Sequence, residues 1–198
     1  MISYNGNFEA KKDSVIENLP AGVYVGKIIG AKVETQSIAG KSVDRLVIQL
    51  DVSEGEYTGH YRKQFEAAKG GRFTPKYKGV FRITIPQSGD QYESINKRIL
   101  QNAAWALEQS NSGYKWDWDE SKLKGLTVGF AVREADFVAD NQLKTTTEIC
   151  RLDSADDVRS GKAKTPKRRE LSEKQKQLLR DVEEGYTPLE GADEELPF

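Results

Sequence analysis

In the stretch DRLVIQLDVSEG, Leu46, Ile48, Leu50 and Val52 alternate with Arg45, Gln49 and Asp51. A period of two sends every apolar side chain to one face, so this segment must be a strand with one dry and one wet side. The same period returns in four other places. In LPAGVYVGKIIGAKVE it gives an apolar file of Val23, Val25, Ile29, Ala31 and Val33, with Gly26 and Gly30 on the opposite set predicting a bulge or tight curvature. In YKGVFRITIP, Tyr77, Phe81, Ile83 and Ile85 alternate with Lys78, Arg82 and Thr84 until Pro86 ends the ladder. LTVGFAVRE points Leu126, Val128, Phe130 and Val132 inward, and LKTTTEICRL supplies a last strand.

One segment breaks the pattern. ESINKRILQNAAWALEQSN has a helical period, with Ile95, Ile99 and Ala103 as one file and Leu100, Ala104 and Leu107 as the next, predicting a helix laid on the sheet. The expected order is three strands, a helix and two strands. That is the order of an OB-fold, a five-stranded, partly open barrel whose strand 2–3 face commonly binds single strands or oligosaccharides. The chain thus reads as mainly β: an N-terminal lead-in over 1–18, an OB-fold domain over 19–152, a basic flexible linker over 153–170, a short helix over 171–185 and an acidic disordered tail over 186–198. For the short helix, Ser172 and Gln175 fit a capping box.

With 198 residues the chain can bury a core without staples. The single Cys150 forms no bridge within the chain and suits a reducing, cytoplasmic setting. No secretory leader and no apolar run of about 20 residues is present, so a soluble, non-exported protein is expected.

Formal net charge is only −1, but its distribution is uneven. Between Tyr61 and Arg82, seven cations (Arg62, Lys63, Lys69, Arg72, Lys76, Lys78 and Arg82) face one acid, Glu66. Arg159 to Arg169 is a second basic run without acids, and after Arg180 only acids occur. The first run interleaves Tyr61, Phe65, Phe73, Tyr77 and Phe81 with its cations. Single-stranded nucleic acid offers a polyanionic backbone and unstacked bases, so a sequence-tolerant binder needs this mixture, each stacked base contributing on the order of 1–3 kcal/mol. Phe81 and Tyr77 are the first of these rings expected in the core instead. Trp116 and Trp118, between acids in KWDWDES, read as a structural lid, and Trp105 as packing.

Enzyme constellations are sparse. His60 is the only histidine, which removes His-pair metal sites, and it is expected in a loop on the basic face. Asp117, Asp119, Glu120 and Lys122 form a short acid and E-x-K pattern found in one class of magnesium-dependent nuclease. No phosphate loop or dinucleotide fingerprint occurs, and no cofactor is implied.

The end GADEELPF places Leu196, Pro197 and Phe198 after Asp193, Glu194 and Glu195. Such a segment is a linear motif: the ring fills an apolar pocket and the acids meet a basic rim. DEELPF resembles the acidic Asp-Asp-x-Ile-Pro-Phe tip of bacterial single-stranded DNA-binding proteins, with leucine in place of isoleucine. The body, through LPAGVY, Gly40, RLVIQLDVSEGEYTGHY and LKGLTVGFAVRE, resembles a family of phage early proteins from replication and recombination gene clusters over about residues 19–152. These resemblances imply an OB-fold, sequence-independent binding of single-stranded DNA in an infected bacterial cytoplasm, and recruitment of replication, recombination or repair proteins through the tip. Arg62, Lys63, Lys69, Arg72, Lys76, Lys78 and Arg82 would then contact phosphates, and a subset of Tyr61, Phe65, Phe73 and Tyr77 would stack on bases. Lys162 to Arg169 would add to DNA binding or hold the acidic tip when DNA is absent. A nuclease using Asp117, Asp119, Glu120 and Lys122, and a protein-binding or inhibitor protein without DNA affinity, are the alternatives; self-association is left open.

Overall fold

The computed structural model describes residues 17–38, 40–69 and 74–183. Ten elements follow in order: β1 (Gly22–Ile38), β2 (Lys41–Val52), α1 (His60–Ala68), β3 (Val80–Thr84), α2 (Glu93–Ser110), a 3-10 turn (Glu120–Leu123), β4 (Thr127–Ala139), β5 (Gln142–Asp153), α3 (Ala155–Arg159) and α4 (Glu173–Glu183). The five strands make one antiparallel sheet in the order β3-β2-β1-β4-β5. The chain is therefore mainly β, as its alternation predicts.

Two features differ from the expected barrel. β3 and β5 do not pair among the described residues, so the sheet is open: β3 is short and pairs only with β2, from Gln49 to Arg45. The expected helix between the third and fourth strands is present as α2, but α1 stands between β2 and β3, and α3 and α4 follow β5. α1 buries only His60 and Tyr61, too little to give its sequence an apolar stripe.

The core lies between the inner sheet face and α2. Leu46, Ile48, Leu50 and Val52 of β2, Phe81 and Ile83 of β3, and Val128, Phe130 and Val132 of β4 meet Ala103, Ala106 and Leu107 of α2, with Trp116 and Leu123 among them. The apolar file expected in β1 changes phase midway. The β1–β2 register shifts between Ile28 and Gly30, so Ile28, 1% exposed, faces the core while Ala31 resumes that face beyond the bulge. In the first two turns of α2, Ile95 and Ile99 stay exposed; its buried residues are Ala103, Ala106 and Leu107.

The outer face is partly covered by α3, which packs on β1 and β4. At Gly129, a Cβ would fall 2.7 Å from Val158 Cγ2 and 2.8 Å from the Asp153 carbonyl, so close approach requires glycine there. The β4–β5 hairpin turns through Asp140 (φ 54°) and Asn141 (φ 57°), the left-handed pair a two-residue turn needs.

Residues 153–170, expected as a flexible linker, carry the short helix α3 and a largely exposed strap bonded to β4 at Arg169. After α3 the chain returns to β4, which has lost β1 as a neighbour beyond Val132. There Arg169 N–H donates to the Glu134 carbonyl and Asp136 N–H donates to the Arg169 carbonyl, both at 2.9 Å. Leu171 is buried behind this strap. In the capping box of α4, Gln175 N–H donates to Ser172 Oγ and Ser172 N–H donates to Gln175 Oε1. No helix among the described residues is long and apolar enough to cross a membrane.

Candidate nucleic-acid interface

α1 carries the first half of the basic run, and a strand carboxylate fixes it. Gly59, at φ 72°, brings the chain into α1 without a side-chain cap. Asp51, 6% exposed, supplies the cap from β2: its carboxylate accepts the Tyr61 N–H at 3.0 Å and the Arg62 N–H at 3.2 Å, and also its neighbour Val52 N–H at 2.9 Å. The negative charge sits at the positive end of the helix, where it is favoured.

Below α1 runs a seam of rings: Tyr24, Tyr57, His60, Tyr61, Tyr77 and Phe65, each 5.5–6.2 Å from the next. Tyr61 is a wall of the core rather than a stacking platform. It is 5% exposed and lies against Gly79, where an added Cβ would fall 2.5 Å from its ring. Burial raises its phenol pKa well above the ordinary value. Tyr77 is half-buried, and its hydroxyl donates to the Leu50 carbonyl at 2.9 Å. Of the interleaved rings, Phe65 and Tyr77 keep partly exposed surface, and the Lys69 ammonium stands 5.0 Å over the Phe65 ring.

His60 belongs to this buried seam, not to a loop on the basic face: it is 9% exposed, its Nε2 has no hydrogen-bond partner, and burial lowers its pKa against the opposing pull of Asp51. Both neighbouring rings, Tyr57 and Tyr61, pack edge-on against the imidazole.

Outward from the seam lie Arg62, Lys63, Lys69, Lys76, Lys78 and Arg82, all exposed. Only Lys69 is ion-paired, to Glu66 at 2.8 Å; Lys78 donates to Asn18, and Arg62, Lys63, Lys76 and Arg82 have no ion pair among the described residues. Arg72 and Phe73 lie outside the described residues.

Strand register extends the field. Arg82 is opposite Val47, which is opposite Lys32, and Lys27 lies further along β1 on that same outer face. Lys27 and Lys32 are exposed and were not picked out from the sequence, because the bulge at Ile29 obscures which β1 residues share a face. Lys32 pairs with Glu34 at 2.5 Å, holding that carboxyl below its ordinary range with a smaller contribution from Arg82.

The second basic run has a different fate. Arg159 binds Glu54 at 2.6 Å and Asp156 at 2.9 Å; Arg168 chelates Asp136, whose carboxylate also accepts the Thr145 hydroxyl; and Arg169 binds Glu148 at 3.1 Å. Its arginines fasten the strap to the sheet, while Lys162, Lys164 and Lys167 remain exposed.

Trp116 is 8% exposed and its indole N–H donates to the Asp119 carbonyl, which fits the lid reading; Trp118 stacks on it at 4.8 Å but is 59% exposed. Trp105, expected as packing, is 50% exposed. The acid and E-x-K pattern is internally engaged: Lys122 bonds Asp117 and stands 3.7 Å from Asp119, which accepts the Ser121 N–H and hydroxyl. Cys150 is half-buried, its thiol directed at the Ala131 carbonyl and its pKa raised by burial. Asp193 to Phe198 lie outside the described residues.

The chain matches no protein-family model and no curated protein.

Proposed function

We infer that this protein binds single-stranded DNA without base-sequence preference and brings other proteins to it through Asp193–Phe198. The observation that carries this reading is the contrast between the two basic runs: the arginines of residues 159–169 are spent on carboxylates, whereas Arg62, Lys63, Lys76 and Arg82 are exposed and have no ion pair among the described residues. Holding exposed cations together is electrostatically unfavourable, and a polyanion relieves it. Phe65 and Tyr77 lie beside these cations as partial stacking surfaces. Tyr61 is not among the base-contacting rings in this reading.

The strand order, with β1 paired to both β2 and β4, supports an OB-type connectivity, in which the outer face of β1-β2-β3 with Lys27, Lys32 and Arg82 continues the track from α1. The protein acts as a passive binder, covering strands exposed during phage replication or recombination. Fluorescence titration with oligothymidine at several salt concentrations tests this. If about five cations contact phosphates, the slope of log K against log salt is about −3.5. Absence of binding at low salt, or a slope near zero, refutes it.

A further inference from the structure

We propose that residues Asp193 to Phe198 dock within their own chain, in the cavity between α4, the 168–171 strap and the β4–β5 hairpin, on a surface separate from the basic face. The cavity holds about 400 Å³. Its apolar walls are Leu143, Leu171 and Leu179, and its cations are Arg168, Lys176 and Arg180. Leu143, opposite Val138 near the tip of the β4–β5 hairpin, is 53% exposed, and Leu178, next to Leu179 on α4, is 44% exposed. These leucines lack a cover among the described residues.

Charge selects the occupant. The two acids of the lining, Asp136 and Glu170, are already engaged by Arg168 and Lys176, and Arg180 has no ion pair among the described residues. The site therefore fits a segment with apolar side chains next to carboxylates. Residues 184–198 contain no Lys or Arg and end in Asp193, Glu194, Glu195, Leu196, Pro197 and Phe198. They start directly after α4, which forms one wall, and extended they reach up to about 50 Å. Tethering gives such a segment an effective concentration on the order of millimolar, so weak contacts suffice to seat it. Leu196 and Phe198 would cover the leucines, and the three acids would face Lys176 and Arg180.

This proposal does not rest on DNA binding, and its test is independent of it. Amide spectra of the ¹⁵N-labelled full chain are compared with those of the Leu196→Asp/Phe198→Asp variant. Shifts are expected at Leu143, Leu171, Lys176 and Leu179, with none at Arg62, Lys63, Lys78 or Arg82. Lys176→Glu/Arg180→Glu, in an otherwise intact chain, should move the amides of residues 193–198 to the positions they take in the first variant. Oligothymidine affinity of the Leu196→Asp/Phe198→Asp variant should stay within about twofold. Shifts confined to the basic face, or no shift outside the tail, overturn the proposal, as does a dependence of the shifts on protein concentration, which would place the tail on a second copy.

Discussion

Replacing Asp51 with alanine removes three hydrogen bonds at once and leaves two first-turn amides of α1, those of Tyr61 and Arg62, without their acceptor. A helix cap is worth about 0.5–2 kcal/mol. Hydrogen bonds to a charged group contribute about 1.5–3 kcal/mol, and the Tyr61 amide is buried where water cannot replace the carboxylate. Together these give an expected loss of about 2–4 kcal/mol in urea unfolding. Asp51→Asn is the graded control. One oxygen can still accept from Val52 and Tyr61, but the amide nitrogen must face the Arg62 N–H, so about 1–2 kcal/mol should be lost. Because α1 carries Arg62 and Lys63, exchange protection in residues 60–68 should fall in both variants, and oligothymidine affinity should fall with it. If Asp51→Ala unfolds within 0.5 kcal/mol of the parent, as an order-of-magnitude limit, and α1 amides stay protected, the carboxylate does not anchor the helix.

His60 makes stability pH-dependent: its folded pKa is lowered, so below about 6.5 the unfolded chain takes up a proton that the native seam refuses. Stability should be full above that value and fall by at most about 1.4 kcal/mol per pH unit until the folded pKa is reached; urea midpoints at pH 7.5 and 5.5 measure it, and His60→Gln should remove this component. Lys78→Glu/Arg82→Glu should weaken oligothymidine binding at least about tenfold and flatten its salt dependence, while Lys144→Glu, on the β4–β5 hairpin, should change neither appreciably. An equal loss in both variants would mean that net charge, not the basic face, governs binding. Arg168→Ala frees the Asp136 carboxylate and loosens the strap, so trypsin should cut after Lys162, Lys164 or Lys167 faster than in the parent; unchanged cleavage would show that the Arg169 backbone pair alone holds the strap.

The parts of the fold that the sequence predicts are those where one physical rule acts alone. The alternation in β2 and β4 marks their core-facing set correctly, and Phe130 and Ile48 are fully buried as expected, but the opposite set, with Val47, Asp51 and Ala131, is buried too, by elements that a period of two does not report. β1 obeys the same rule on either side of Ile29, but one inserted residue reverses the phase and makes Val25 and Ile28 exchange faces relative to a straight strand. α1 escapes periodicity because what holds it is a carboxylate ten residues earlier in the chain, a pairing that no local pattern encodes. Trp105 lies two residues from both Ala103 and Leu107, on the face of α2 turned away from the sheet, and so stays exposed, while Ile95 keeps the apolar period and is 46% exposed in the first turn.

The same reasoning separates the two basic runs, which composition cannot. Arg168 and Arg169 have a local charge density as high as that around Arg62 and Lys63. What distinguishes them is the placement of acids elsewhere: Glu134, Asp136 and Glu148 lie on the β4–β5 hairpin beyond Val132, where β4 no longer has β1 as a neighbour, so a passing basic segment is captured there. Along β1, β2 and α1 several carboxylates are engaged elsewhere, with Glu66 paired to Lys69. Asp51 is buried under α1, Asp44 accepts the Thr35 hydroxyl, and Glu34 is held by Lys32. Unneutralised cations around α1 and β3 are thus a consequence of where the fold puts its acids as much as of where the sequence puts its lysines. Introducing an acid on that face, Val80→Glu beside Arg82 on β3, should therefore mimic the capture seen at the strap and lower affinity for a polyanion without removing a single positive charge.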